Sequence, residues 1–518
     1  MRRRMEFGHH AAAIQYLNAF PKLDGAEVHT QVLPQIGHAH PAHETMIAPA
    51  IIQNSMEISG RRVLVVGMAA SGMAAARFLR RRGARVVVSE MRPGAELKAE
   101  IAELLDDGIA IETGGHRERS FLDADFIVVS PGVPADLPLL KRARAQQIPV
   151  LGEIELAARF LPGTVVAITG ANGKTTTTTL TAHLLAACGR RVQLGGNIGT
   201  PLISLVETAT AETVNVVEVS SFQLETTEIF HPHIAAVLNL SPDHLDRHGS
   251  MEAYAAAKQR IFRNQTAADY AVLNPGDAWC RQFAASLASQ AVWFAPFPLQ
   301  GQMGTAVEEG GIVWMRDGRS HAIMPVSEVP LPGAHNLENV LAGLAMALLL
   351  VGPEAAPQLR AAVRSFKAVE HRLEFVAKVA GVDYYNDSKA TNVDATLKAL
   401  AAFRQGVWLI LGGKDKGSDY TPLEPLLAER ARGVLLIGTA TEKIAAQLAP
   451  FATRTGFPIT RCGTLEQAVA TAAGRAAAGD TILLAPACAS FDQFHNYGHR
   501  GKVFKQLVAE RAAAEATA

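Results

Sequence analysis

The stretch ITGANGKTTTTTL, from Ile168 to Leu180, sets a lysine and a run of hydroxyls directly behind a glycine turn. An apolar strand, a tight turn and a helix, in that order, point free backbone N–H groups and a helix dipole at one spot, where an anion is stabilised. Gly170, Ala171, Asn172 and Gly173 make the turn. Lys174 is then placed to reach the β- and γ-phosphates of a nucleotide, and the Thr175 hydroxyl to meet Mg²⁺. Thr176 is a further phosphate contact, while Thr177 to Thr179 continue the helix in spite of their branched side chains. The usual G-x-x-x-x-G-K-[ST] spacing would need glycine where Ile168 stands, so this turn is a shorter variant. A strand–helix turn with an incidental Gly-Lys-Thr is the competing reading.

Other polar clusters follow apolar runs. Glu218 ends the strand in VVEVSSFQLE, where a carboxylate partner for Mg²⁺ belongs, with Ser220 beside it. NLSPDHLDRHG crowds Asp243, His244, Asp246, Arg247 and His248 into one loop, and His244 reads equally as a ligand or as a cap. Lys258, on the amphipathic MEAYAAAKQRIF, reads from spacing alone as a solvated lysine. Near the start, VVGMAASGMAAARFL has the form G-x-A-x-x-G, a weakened dinucleotide turn with Ala69 in place of the middle glycine. The acidic Glu90 follows about 20 residues later, as the ribose-binding residue of such a unit would.

The elements that must position these residues are Val/Ile-rich strands alternating with helices. Three series occur, beginning at Arg62, after Pro162 and after Phe366. Continuous apolar strands of this kind belong to parallel sheets covered on both faces. The expected fold is α/β in three domains: two Rossmann-like units, N- and C-terminal, around a central phosphate-loop domain with a parallel sheet. Boundaries are expected near residues 151 and 367, giving 56–151, 152–366 and 367–518, with residues 1–55 as a flexible extension carrying His9, His10, His29, His38, His40 and His43. The 518 residues suit about three domains.

Forty-nine basic and 49 acidic residues cancel, which gives no electrostatic reason to expect nucleic acid or a membrane surface. The run VLAGLAMALLLVG, Val340 to Gly352, is shorter than the roughly 20 residues a membrane span needs and reads as a buried helix. Cys188, Cys280, Cys462 and Cys488 are widely spaced, which suits reduced thiols in a cytoplasmic protein and no zinc site.

TGANGKT, GGNIG, EVSSFQLE, SPDHLDRH, AAKQRIF, HNLEN, HRLE, NDSKATN, GGKDKG and PACASFDQF occur in one order along the chain. Together they closely resemble the Mur ligase family, and within it the D-glutamate-adding branch; the short phosphate loop is a family trait. The resemblance implies an ATP-dependent ligase of peptidoglycan precursor synthesis, joining D-glutamate to UDP-N-acetylmuramoyl-L-alanine through an acyl phosphate. It implies ATP held by Gly170 to Thr177 with Asn339, Arg372 and Asp387. Two Mg²⁺ ions are implied, on Thr175 and Glu218 and on His244 and Lys258, with Lys258 carbamylated and with Lys174, His244 and Lys258 as the catalytic set. For the UDP substrate it implies Ser71, Glu90, Arg92, Gly132, Asn197 and Ser220, and for D-glutamate Thr391, Lys416, Ser490 and Phe491. The expected state is a cytoplasmic monomer with UDP-N-acetylmuramoyl-L-alanine and D-glutamate as its partners.

Alternatives remain open. A sister Mur-type or folylpolyglutamate-type ligase would share the ATP site, but NDSKATN, GGKDKG and CASFDQF favour D-glutamate and no D-N-P-R stretch is present. A dehydrogenase would explain the first turn and leave the phosphate loop idle. A non-catalytic nucleotide-binding scaffold would show no turnover dependent on the precursor.

Overall fold

The computed structural model describes residues 56–517 apart from 135 and 368, so the histidine-bearing extension lies outside the described residues. The first sheet comprises β1 (Arg62–Val66), β2 (Arg85–Ser89), β3 (Ala110–Glu112), β4 (Phe126–Val129) and β5 (Val150–Gly152). They lie in the order β3-β2-β1-β4-β5, all parallel. Both faces of β4 are buried, as the unbroken Phe-Ile-Val-Val run requires. The helix Ala70–Arg81 starts straight after the first turn and buries Ala75, Ala76, Phe78 and Leu79 on one stripe.

The central sheet has nine strands: β6 (Thr164–Thr169), β7 (Val192–Gly196), β8 (Val214–Glu218), β9 (Ile234–Val237), β10 (Tyr270–Leu273), β11 (Gln290–Ala295), β12 (Gly304–Glu308), β13 (Gly311–Arg316) and β14 (Arg319–Pro325). Their order is β14-β13-β12-β11-β10-β9-β6-β8-β7. Because β6 lies between β8 and β9, Ile168 pairs with Glu218 and Thr169 with Val237. The phosphate turn therefore emerges between the ends of two parallel strands, where α/β sheets bind ligands.

An entirely parallel sheet is expected from the strand pattern, and here the structure differs. Strands β12, β13 and β14 form an antiparallel meander. Its two-residue turns, Glu309-Gly310 and Asp317-Gly318, have positive φ at both positions, the geometry that matches strand twist in a tight hairpin. The helix Ala334–Val351 is long and apolar enough to cross a membrane by length and composition, but 72% of it is buried against the sheet and the helix Lys174–Ala187.

The third sheet runs β15-β16-β20-β17-β18-β19, from β15 (Glu374–Val379), β16 (Val382–Asn386), β17 (Val407–Gly412), β18 (Ala431–Ile437), β19 (Ile459–Gly463) and β20 (Thr481–Leu484). Only the β15–β16 pair is antiparallel. Insertion of β20 between β16 and β17 brings the loop after Asn386 beside the loop after Leu484. Buried Arg500 stitches the two together, donating to the Ser388 carbonyl at 2.9 Å and the Cys488 carbonyl at 3.1 Å. All four cysteines are free.

Candidate active site

Gly170 and Gly173 both have positive φ, 153° and 84°. At Gly173 a Cβ would lie 2.3 Å from Asn339 Oδ1, so only glycine lets the helix start this close to its neighbour. Asn239 holds the turn from behind: the Ala171 N–H donates to its carbonyl and the Asn172 N–H to its Oδ1, both at 2.9 Å. Lys174 folds back to donate to the Gly170 and Ala171 carbonyls at 2.8 Å each. Thr175 donates to Glu218 Oε2 at 2.8 Å, and Asn197 to Glu218 Oε1 at 2.8 Å. Thr177 donates to Asn339 at 3.1 Å, so this helical threonine also braces the site.

Lys389, which follows β16, reaches across to donate to the Thr175 hydroxyl at 2.7 Å. Its ammonium also sits 4.9 Å above the Tyr497 ring. Neither residue is among those expected from the sequence. Lys389 lies inside NDSKATN, but only the packing of the third sheet against the central one shows where its ammonium ends. Asn172 crosses the same junction, donating to Asp394 at 2.5 Å.

Cations are in surplus here. Burial lowers the pKa of Lys174, and Lys389 falls to about 7 through burial and then the nearby Arg372. Lys258 is only 2% exposed; burial, with Lys174 close by, takes its pKa well below the ordinary lysine value. It donates to the Gly170 carbonyl at 2.9 Å and to Thr169 at 3.2 Å, with its ammonium 4.7 Å from the Tyr254 ring centroid. The solvated lysine read from helix spacing is therefore corrected: tertiary packing buries it under the phosphate turn. Burial alone would raise the pKa of Glu218, but Lys389, Lys174, Asn197 and Arg372 outweigh it and hold it below the usual carboxylate value.

Asp243 and His244 follow β9 in a loop where His244 has φ 54°. Burial pushes the Asp243 carboxyl up, yet Lys416 at 3.3 Å and His244 hold it low overall. His244 Nε2 is 3.6 Å from Asp243 Oδ2. Among the described residues no three His, Cys, Asp or Glu side chains gather into a metal site. Thr175 and Glu218 supply oxygens in contact with each other, which suits Mg²⁺. His244 and Lys258 offer nitrogens, and Mg²⁺ prefers oxygen, so neither side chain as it stands is a natural ligand for that ion.

Asn339, Arg372, Asp387 and Lys389 line one cleft with Gly173 and Thr176. Arg372 Nε is buried with no protein partner, and burial lifts Asp387 to about 7 against the pull of that guanidinium. An unpaired buried donor lining a cleft with Asn172 and Gly173 of the turn fits an anionic nucleotide.

At the first turn, Glu90 accepts from the Met68 N–H at 2.8 Å and from Arg92 Nε at 3.2 Å. Ser71 lies in the first turn of the helix Ala70–Arg81, and nothing stands within 4 Å of where a Gly132 side chain would be. Ser220 caps the helix Ser221–Leu224 in a reciprocal arrangement with Gln223. Thr391 immediately precedes Asn392, the cap of the helix Val393–Ala401. Ser490 is buried, but Phe491 is 68% exposed; Tyr497 is the aromatic ring that meets Lys389.

A phosphate turn, a carboxylate beside its threonine and a third sheet reaching in with lysines define an ATP-using ligase built from three sheets. The chain belongs to the Mur ligase family: residues 168–347 match its middle domain, 371–488 its glutamate ligase domain, and 61–152 the MurD-like N-terminal domain. Its relatives include the UDP-N-acetylmuramoylalanine–D-glutamate ligase of Koribacter versatilis, 54% identical over 461 residues, or 89% of this chain and 100% of that one. The enzyme of the same name from Acidobacterium capsulatum is 53% identical over 462 residues, covering 89% and 98% of the two chains. The structure of UDP-N-acetylmuramate-alanine ligase from Thermotoga maritima superimposes with a TM-score of 0.55 at 20% identity, covering 87% and 99%. At that identity the likeness concerns the fold.

Proposed function

We propose that this chain joins D-glutamate to UDP-N-acetylmuramoyl-L-alanine with ATP, in peptidoglycan precursor synthesis. The names of relatives about half identical over nearly the whole chain support the substrates. The observation that carries the chemistry is the gathering of Lys174, Lys389 and Arg372 around the Glu218 carboxylate. A carboxylate must approach an already anionic γ-phosphate, and these groups offset that repulsion in a site of low dielectric. Magnesium, when bound, neutralises the same charge and orients the phosphate oxygens.

Within this reading the residues divide their work. Residues 56–151 hold the UDP moiety through Ser71, Glu90, Arg92 and Gly132. Residues 152–366 hold ATP, with Lys174 at the phosphates, Asn339 in the nucleotide cleft, and Thr175 and Glu218 around one Mg²⁺. Residues 367–518 supply Arg372 and Asp387 to the nucleotide, and Thr391, Lys416, Ser490 and Phe491 to D-glutamate. A buried, unprotonated Lys258 amine is the form that adds CO₂, losing a proton to become a carbamate. That carbamate gives the His244 site the oxygen donor Mg²⁺ requires. The balanced charge of the chain gives no reason to expect nucleic acid or a membrane surface as partner, and the proposal includes a cytoplasmic monomer.

One assay tests the reading: phosphate release with ATP and UDP-N-acetylmuramoyl-L-alanine, supplying L-alanine, D-glutamate, L-lysine or diaminopimelate in turn. D-glutamate alone should support turnover; preference for another amine would reassign the chain to a sister ligase.

A further inference from the structure

Arg247 belongs to the one-turn helix Leu245–His248, directly after Asp243 and His244. Its guanidinium leaves that loop and crosses to the first sheet. Nη1 donates to the Pro131 carbonyl at 3.1 Å and Nη2 to the Val133 carbonyl at 3.2 Å. These carbonyls flank Gly132 in the loop that leaves β4. The same guanidinium lies 4.0 Å from the Phe222 ring centroid, and Nη2 is 3.8 Å from Glu225.

Phe222 is itself packed edge-on to His244 at 4.9 Å and stacked on His248 at 5.2 Å. His248 meets the Tyr254 ring at 5.2 Å, and Tyr254 carries the Lys258 ammonium. A continuous set of planar groups thus joins the Pro131–Val133 loop to His244 and Lys258. Two of its contacts depend on the flat, forked shape of arginine: a paired grip on two carbonyls and a face-on contact with a ring.

We propose that Arg247 is a positioning residue that sets the spacing between the two ends of the precursor's binding site. It ties the loop meeting the UDP moiety to the loop that carries His244, the ligand proposed for the second Mg²⁺. The inference rests on the functional reading above. A precursor spanning both loops needs that spacing held; UDP by itself, or ATP by itself, touches only one side of the tie.

The full chain is first assayed with UDP-N-acetylmuramoyl-L-alanine, D-glutamate and ATP; no turnover by the wild type would overturn the functional reading itself. Given turnover, Arg247→Ala should lower kcat/KM for the precursor by at least about tenfold, as misplacement of reacting groups does. Its KM for ATP and its affinity for UDP, titrated calorimetrically, should stay within about twofold of wild type. Arg247→Lys keeps the charge and loses the fork, and should recover only a minor part of the loss. The proposal is overturned if Arg247→Ala matches wild type, if lysine restores full activity, or if UDP affinity, ATP KM and thermal midpoint fall together with kcat/KM.

Discussion

The turn after β1 and the turn after β6 share one backbone plan: a buried parallel strand, glycines at positive φ, then a helix. They differ in the charge that faces the turn. At the first, the Glu90 carboxylate accepts the Met68 N–H and is in turn paired with Arg92. At the second, Lys174 rests on its own turn's carbonyls and further buried cations face Glu218. The first turn already holds its negative charge and suits the neutral ribose or base of a nucleotide; the second suits its phosphates. A strand–turn–helix unit thus makes a site possible, and the charge of a few side chains decides which part of a nucleotide it takes.

The largest effects should come from the cation-rich turn. Lys258→Ala is expected to lose about 10³-fold or more in ligation rate, roughly 4 kcal/mol of barrier. Acetate or formate should restore part of it by entering the space left and supplying an oxygen. A dead variant that no small carboxylate rescues would replace the carbamate with a plain cation. Lys174→Ala should be similarly inactive while calorimetry finds precursor binding nearly intact; loss of both would break the division between the two turns.

Between the turns lies Glu153, buried just after β5, where it accepts from the Ile203 N–H at 2.7 Å while Oε2 has no protein partner. Burial raises its pKa from 4.5 to about 7. A carboxyl raised on folding contributes stability fully below its unfolded pKa and loses it as pH climbs through about 7. Glu153→Gln should therefore be more stable than wild type at pH 8, by up to about 3 kcal/mol, and unfold at a higher temperature there, with the gap closing toward pH 5. An unchanged pH profile in scanning calorimetry would remove Glu153 from this role.

Glu90→Gln should weaken precursor binding about tenfold, near 1.4 kcal/mol, and leave KM for ATP alone. Equal damage to both substrates would show that the turns are not independent. Removing residues 1–45 should change specific activity by less than about twofold, under half a kcal/mol. A collapse of activity would tie the extension to the body.

Much of the fold was legible because parallel strands buried on both faces write unbroken apolar runs, as in Phe126–Val129 and Val407–Gly412. Strands without that signature are harder to read from the sequence. Val192–Gly196 ends in glycines, and the β12–β14 meander carries polar positions, although Asp317-Gly318 is a hairpin signal. In the site, Lys174, Thr175 and Glu218 could be read locally, because each sits at a strand or helix end next to its own motif. Lys258 could not, since helix spacing alone describes a lysine in water.

Local order along the chain was enough to set the strand–turn–helix units, the glycines their turns demand and the residue types at each strand end. Short-range sterics and hydrophobic period dictate these, and both act over a few neighbouring residues. Pairing across long separations belonged to the tertiary structure. Lys389 reaches Thr175 over 214 positions, Lys416 reaches Asp243 over 173 and Arg247 reaches Pro131 over 116. The depressed pKa of Lys258 and the exposure of Phe491 were decided in the same way. Burial and Coulomb interaction depend on distance in space, and distance in space is set only when the three sheets pack together.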